Sequence, residues 1–223
     1  MRRRLPRFVD LSHTVEHGMV TYPGLPTPVI SDHLSREGSA VRYDPGTTFQ
    51  IGRIDMVANT GTYIDAPFHR YADGGDLADL DLASLAHLDA VVCRVPADAR
   101  AIGPELFTDR PLRGRAVLVN TGWAVRWGTA SYLGGHPFLT RAAAEHLRDE
   151  SAALVGIDSL NIDDTADGSR PVHSILLRAG IPVVEHLRGL GDVPDTGFLF
   201  YAVPVKVRNL GSFPVRAFAL LDE

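Results

Sequence analysis

The amino-acid sequence predicts a mixed α/β fold in one domain over residues 1–223. Three observations carry this: four short apolar runs rich in β-branched residues, two helical segments set between them, and a C-terminal third with further strand-like runs. The runs at 90–95, 115–120, 153–157 and 181–185 have the length and unbroken apolar character of strands buried on both faces. Thr140 is placed to cap a helix over 141–150, in which Ala143, Ala144 and Leu147 recur at helical spacing. Pro171 opens a second helix over 172–178, and Gly180 ends it. Residues 198–207 and 215–221 alternate or run apolar between Pro and Gly, which predicts more strands.

Composition narrows the class of function. Hydrophobic residues make up 45% of the chain and charged residues 22%, enough apolar surface for an autonomous core and too much for a disordered chain. The net charge of −5, with no basic stripe interleaved with aromatics, excludes a nucleic-acid partner. No apolar run approaches the roughly 20 residues that span a bilayer, and the basic opening Met1–Arg4 is not followed by the apolar stretch of an export leader. A soluble, cytoplasmic protein is expected. Gly74-Gly75, Gly134-Gly135 and the glycines of 188–191 lack the strand–turn–helix setting of a phosphate-binding loop. The lone Cys93 excludes an intrachain disulfide and a multi-cysteine zinc site, and its apolar surroundings predict a buried strand residue.

The densest chemistry lies in residues 59–69, where an amide (Asn59), a phenol (Tyr63), a carboxylate (Asp65) and an imidazole (His69) surround Gly61. Asp65 reads as a turn cap beside Pro67 or as a site carboxylate. His69 has the side chain best suited to moving protons near neutrality. Tyr63 reads as core packing or as a hydrogen-bond donor to a carbonyl or enolate oxygen, and Asn59 as a turn residue or a second donor. Tyr22, Phe68 and Trp123 read as core or as the aromatic wall of a substrate pocket. Asp163, Asp164 and Asp167 read as a cation-binding acidic loop or, in preference to it, as a solvated turn. His186 follows Glu185, and strand alternation predicts that it points away from it.

Residues 59–69 follow the pattern His-x-Gly-Thr-His-x-Asp-x-Pro-x-His, with Asn59 and Tyr63 in place of the first two histidines. Asp10-Leu11-Ser12-His13, Tyr22-Pro23-Gly24, residues 120–123, 156–160, 171–177 and 181–185 extend the likeness over nearly the whole chain. In these segments the sequence resembles the cyclase/kynurenine formamidase-like metal hydrolases. The resemblance implies a swivelling β/β/α domain, assembled as a homodimer or higher homo-oligomer. It also implies metal ligands. In the family, two histidines, the aspartate and a late glutamate hold one ion, and the aspartate, a late histidine and the same glutamate hold another. Asp65, His173 and Glu185 match the second set, whereas Asn59 and Tyr63 replace both nitrogen ligands of the first. One divalent metal, zinc or manganese, and no metal at all are the two cofactor readings. His69 matches the family's proton donor and acceptor.

Three functions follow. The resemblance implies a hydrolase of a small-molecule amide, arylformamidase-like, breaking a carbon–nitrogen bond. The altered ligand set also suits a single-metal or metal-independent cyclase or dehydratase of natural-product, polyketide-type biosynthesis, with His69 or Asp65 as base and Tyr63 or Asn59 as oxyanion donor. The third is a non-catalytic small-molecule binder.

Overall fold

A computed structural model describes residues 6–221 of the chain; Met1–Arg4, read above for a leader, lie outside the described residues. In chain order the strands are β1 (Arg7–Asp10), β2 (Val29–Leu34), β3 (Ile51–Asp55), β4 (Tyr63–Asp65), β5 (Leu88–Arg94), β6 (Ala101–Ile102), β7 (Ala116–Asn120), β8 (Phe138–Leu139), β9 (Leu154–Ile157), β10 (Val183–Glu185), β11 (Phe198–Tyr201), β12 (Ser212–Pro214) and β13 (Phe218–Leu221). The helices are α1 (Arg36–Ala40), α2 (Arg141–Asp149) and α3 (Pro171–Arg178).

Among the described residues one sheet of nine strands runs β1-β13-β11-β5-β7-β9-β10-β4-β12. Its centre, β5-β7-β9-β10, is parallel, as crossover helices require. On one side β11, β13 and β1 continue it antiparallel, and on the other β4 and β12 do. The sheet curls, and the mixed α/β class expected from the sequence is the one observed.

Alternation along the central strands builds two cores. Val91, Cys93, Val117, Val119, Val155 and Ile157 pack with Ala143, Ala144 and Leu147 of α2 and with Val172, Leu176 and Leu177 of α3. Ala90, Val92, Ala116, Leu118 and Val184 point the other way, onto Ile64, Phe198 and Phe200. Each fully buried Val, Leu or Ile contributes about 1.5–3 kcal/mol, so the continuous apolar runs favour a sheet covered on both sides. Cys93 is fully buried and burial pushes its thiol up to about 11, in agreement with its reading as a core residue. Among the described residues no helix is long and apolar enough to cross a membrane.

Two expectations need correction at the C-terminal end. The apolar run 198–207 is a strand only over Phe198–Tyr201, since Pro204 has no N–H to continue a ladder. The run 215–221 is a strand only from Phe218, and a separate short strand, β12, precedes it. Two strands invisible as apolar runs, β4 and β12, carry Tyr63, Asp65 and Ser212.

Gly211 enters β12 against the backbone of His69. A Cβ there would lie 2.4 Å from His69 N and 2.5 Å from its Cα. Gly211→Ala is therefore expected to lower the unfolding free energy by about 1–3 kcal/mol, the cost of overpacking. Gly168, with nothing within 4 Å of its Cβ direction, is the control. Urea midpoints of the two alanine variants check this, and equal midpoints would refute it.

Candidate active site

The site lies beyond the carboxyl ends of β9 and β10, where open α/β sheets take ligands. Register brings its members together. On β4, Tyr63 lies opposite Glu185 of β10 and opposite Pro214 of β12, and Asp65 lies opposite Val183 and Ser212. Tyr63 and Asp65, two residues apart, share one face of the strand, while Ile64 between them goes to the core. One turn later, the short helix Pro67–His69 carries His69 back over β4.

These elements enclose a cavity of about 230 Å³, lined by Tyr22, Asn59, Tyr63, His69, His173 and Glu185, among others. Asp65 is fully buried behind these lining residues: His69 Nδ1 lies 3.6 Å and His173 Nε2 3.4 Å from its carboxylate. Phe68 and Trp123, the other expected wall residues, do not line it. The Trp123 indole donates to the carbonyl of Tyr132 at 3.0 Å, in a turn clamped by Asp158, which accepts from Thr121 N at 2.7 Å and Gly122 N at 2.9 Å.

Asp65 is bonded on one oxygen only. Its Oδ1 accepts the Ser212 hydroxyl proton and lies 3.5 Å from Asn59 Nδ2, whereas Oδ2 is buried without any hydrogen-bond partner. An unpaired buried carboxylate oxygen costs free energy unless a proton or cation meets it. Ser212 Oγ is also 2.8 Å from His69 Nδ1. Since the hydroxyl has one proton and gives it to Asp65, His69 Nδ1–H is the donor in this second contact. That leaves Nε2 as the proton-accepting atom of the ring.

His173 is held from the other side. Asp163, fully buried, accepts from Val172 N at 2.7 Å, His173 N at 3.1 Å and His173 Nδ1 at 2.6 Å. Burial opposes a charged His173, yet the hydrogen bond to Asp163 and the nearby carboxylates of Asp65 and Glu185 outweigh it and raise its pKa to about 10. His173 Nε2 is 3.7 Å from Glu185 Oε1. The solvated acidic turn expected at 163–167 is thus corrected for its first member: Asp163 caps α3, because Arg170 at the helix start offers no side-chain acceptor.

Glu185 is buried and saturated. Oε1 accepts from Ile162 N at 2.6 Å; Oε2 accepts from the Tyr63 hydroxyl and from Asn161 Nδ2 at 3.3 Å. Burial, and then the charge of Glu185, push the Tyr63 phenol well above its ordinary pKa, so it is a proton donor and not a phenolate ligand. The Tyr22 hydroxyl lies 2.9 Å from that of Tyr63 and donates to Leu160 O at 2.6 Å. His186 does not leave this region as strand alternation predicts. Its backbone turns left-handed (φ 56°), and its Nε2 comes to 3.2 Å from Tyr22 Oη while Nδ1 meets Tyr132 Oη at 2.7 Å.

The donor set fits one divalent ion. Ligand atoms of Asp65, His69 and His173 lie within 4.8 Å of one another, and the orphaned Asp65 oxygen is the atom a cation would satisfy. A second ion is not accommodated: Tyr63 keeps its proton and spends it on Glu185, and Asn59 offers only an amide.

Residues 9–164 match the model of the Cyclase family, and the chain belongs to that family. It is 30% identical over 220 residues to kynurenine formamidase of Paracidovorax citrulli, an alignment covering 95% of this chain and 96% of the relative. A predicted metal-dependent hydrolase from Bacillus stearothermophilus superposes with a TM-score of 0.77 at 26% identity, covering 97% and 99% of the two chains. Isatin hydrolase A from Labrenzia aggregata superposes with a TM-score of 0.84 at 23% identity over 98% of this chain and 94% of that one, a likeness of fold.

The Asp163 clamp gives two measurable consequences. Asp163→Ala leaves three buried N–H groups, two of the backbone and one of the His173 ring, without their acceptor and is expected to lower stability by about 1–3 kcal/mol, while Asp164→Ala changes it little. In metal-free protein, a His173 pKa raised from 6.5 to about 10 means that the folded state holds the proton more tightly. Its stabilisation is full below pH 6.5 and is lost as pH rises through about 10. Urea unfolding across that window should show the decline, and His173→Gln should flatten it.

Proposed function

We propose that this Cyclase-family enzyme is an amide hydrolase that cleaves the carbon–nitrogen bond of a small aryl formamide. The observation that carries this reading is that His69, His173 and Glu185, from distant parts of the chain, line one cavity and that Asp65 is buried behind them with one oxygen lacking a partner. Kynurenine formamidase relatives that span the full chain support the choice of bond.

Asp65, His173 and Glu185 would hold one divalent ion, zinc or manganese, leaving His69 Nε2 free for proton transfer. When bound, that ion supplies Lewis acidity, polarising the amide carbonyl and acidifying water. The protein's own groups handle the protons. His69 Nε2 accepts the proton of the attacking water and returns it to the leaving amine nitrogen, so that formate and an aryl amine leave. Ser212 and Asp65 fix the tautomer this requires. Asp163 orients His173, as a carboxylate behind a ligating imidazole does. Tyr63 and Asn161 hold Glu185 in place.

The cyclase reading needs a free donor for a developing oxyanion. The one proton of Tyr63 goes to Glu185 and that of Tyr22 to the carbonyl of Leu160, which favours the hydrolase.

Dialysis against a chelator is expected to abolish formanilide hydrolysis, and about one equivalent of zinc or manganese to restore it. Full turnover after chelation would end the metal part of the proposal. His69→Ala should lower kcat by about 10²–10⁴-fold with metal content unchanged. Wild-type turnover in that variant would remove His69 from its role.

A further inference from the structure

Two arginines line the cavity and form no close ion pair, although the Asp167 carboxylate lies within electrostatic reach of Arg170. Arg70 is exposed: its Nε donates to Ser174 Oγ at 3.2 Å and its guanidinium lies 5.2 Å from the ring centre of Tyr71. Arg170 is half-buried and held left-handed at φ 45° at the start of α3, with Nη1 donating to Asp164 O at 3.2 Å. Among the described residues, arginine ion pairs form at Arg94, Arg100, Arg148, Arg178, Arg208 and Arg216, and at neither of these. Most N–H groups of both guanidinium forks remain available.

From this arrangement we infer that Arg70 and Arg170 are specificity-determining residues that select an aryl amide carrying a carboxylate and no neighbouring ammonium group. The inference deepens the amide-hydrolase reading and depends on it for the reaction, but not for the anion preference. Three features carry it. Planar guanidinium forks match a carboxylate with paired, charge-assisted hydrogen bonds. The two guanidinium charges attract a carboxylate and repel an ammonium beside it, whereas the charges of Asp65 and Glu185 would be offset by the bound ion. A carboxylate is therefore held at the arginine end, and the amide at the opposite end of the substrate is turned toward His69. The volume of about 230 Å³ suits one aromatic ring with small substituents, since about 150 Å³ accommodates benzene. Leu25, 44% exposed, gives the ring an apolar neighbour at the same cavity.

The test compares metal-supplied wild type with the Arg70→Gln, Arg170→Gln and double variants. Substrates are formanilide, 2- and 4-formamidobenzoate, and an N-formyl aryl amide bearing an α-amino acid group. Wild type is expected to favour at least one formamidobenzoate over formanilide by about tenfold or more in kcat/KM. The double variant should lose that preference through KM, and its formanilide turnover should stay within about twofold. High salt should shrink the preference in wild type and leave the double variant unaffected. Equal use of neutral and anionic amides by wild type, preference for the amino-acid amide, or a preference intact in the double variant would each overturn the inference. Calorimetric titration with benzoate and benzamide measures the anion preference without turnover. If no amide is hydrolysed yet benzoate binds through the arginines, the hydrolase reading fails and the anion site stands. If benzoate binds no better than benzamide, the anion site fails.

Discussion

Asp65 is a carboxylate with no exposed surface, and the site is organised around how its two oxygens are met. One is taken by Ser212, which in turn fixes the proton on His69; the other faces the imidazole of His173 with no hydrogen bond of its own. Burying such a group costs several kcal/mol unless it is compensated. The compensation comes from three strands. β4 presents the carboxylate, β12 delivers the serine opposite it, and the approach of β10 and α3 sets the glutamate and histidine. A hydrolytic centre and the sheet register are thus one constraint: shifting β4 by a single residue would send Asp65 into the apolar core and Ile64 into the cavity.

The replacement of two imidazoles by Asn59 and Tyr63 is absorbed locally. Tyr63 turns its hydroxyl on Glu185, and Tyr22 and Asn161 complete a closed set of hydrogen bonds around that carboxylate. Low dielectric strengthens such a network while raising the cost of any unpaired member. At the positions of the two missing imidazoles, Tyr63 bonds Glu185 and Asn59 lies beside Asp65.

Much of this was legible in the sequence. The β-branched runs located β5, β7, β9 and β10, Thr140 and Pro171 located α2 and α3, and the 59–69 cluster located the cavity. What stayed hidden follows from the physics of short, paired elements. β4 and β12 are three residues each, too short to show a period, and their partners come from distant parts of the chain. Ser212 matters only because register sets it opposite Asp65, and nothing in Gly211-Ser212-Phe213 announces that. Asp163 had a signal that could have been used: α3 begins after an arginine, so its first N–H groups need an acceptor from elsewhere. Arg70 and Arg170 gave no local sign, because whether a guanidinium has a close ion pair is settled only in three dimensions. His186 misled because alternation holds only while a strand continues, and β10 ends at Glu185.

Among the described residues β12 forms the margin of the large sheet, with β4 on one side and no strand on the other. An uncovered margin invites pairing by a foreign strand. Pro214, the last residue of β12, has no N–H to offer such a visitor and interrupts the template where it would otherwise lengthen. The same three residues that set Ser212 against His69 therefore also discourage fibrillar growth from this edge, so the cost of keeping the serine at the periphery is contained within the strand that carries it.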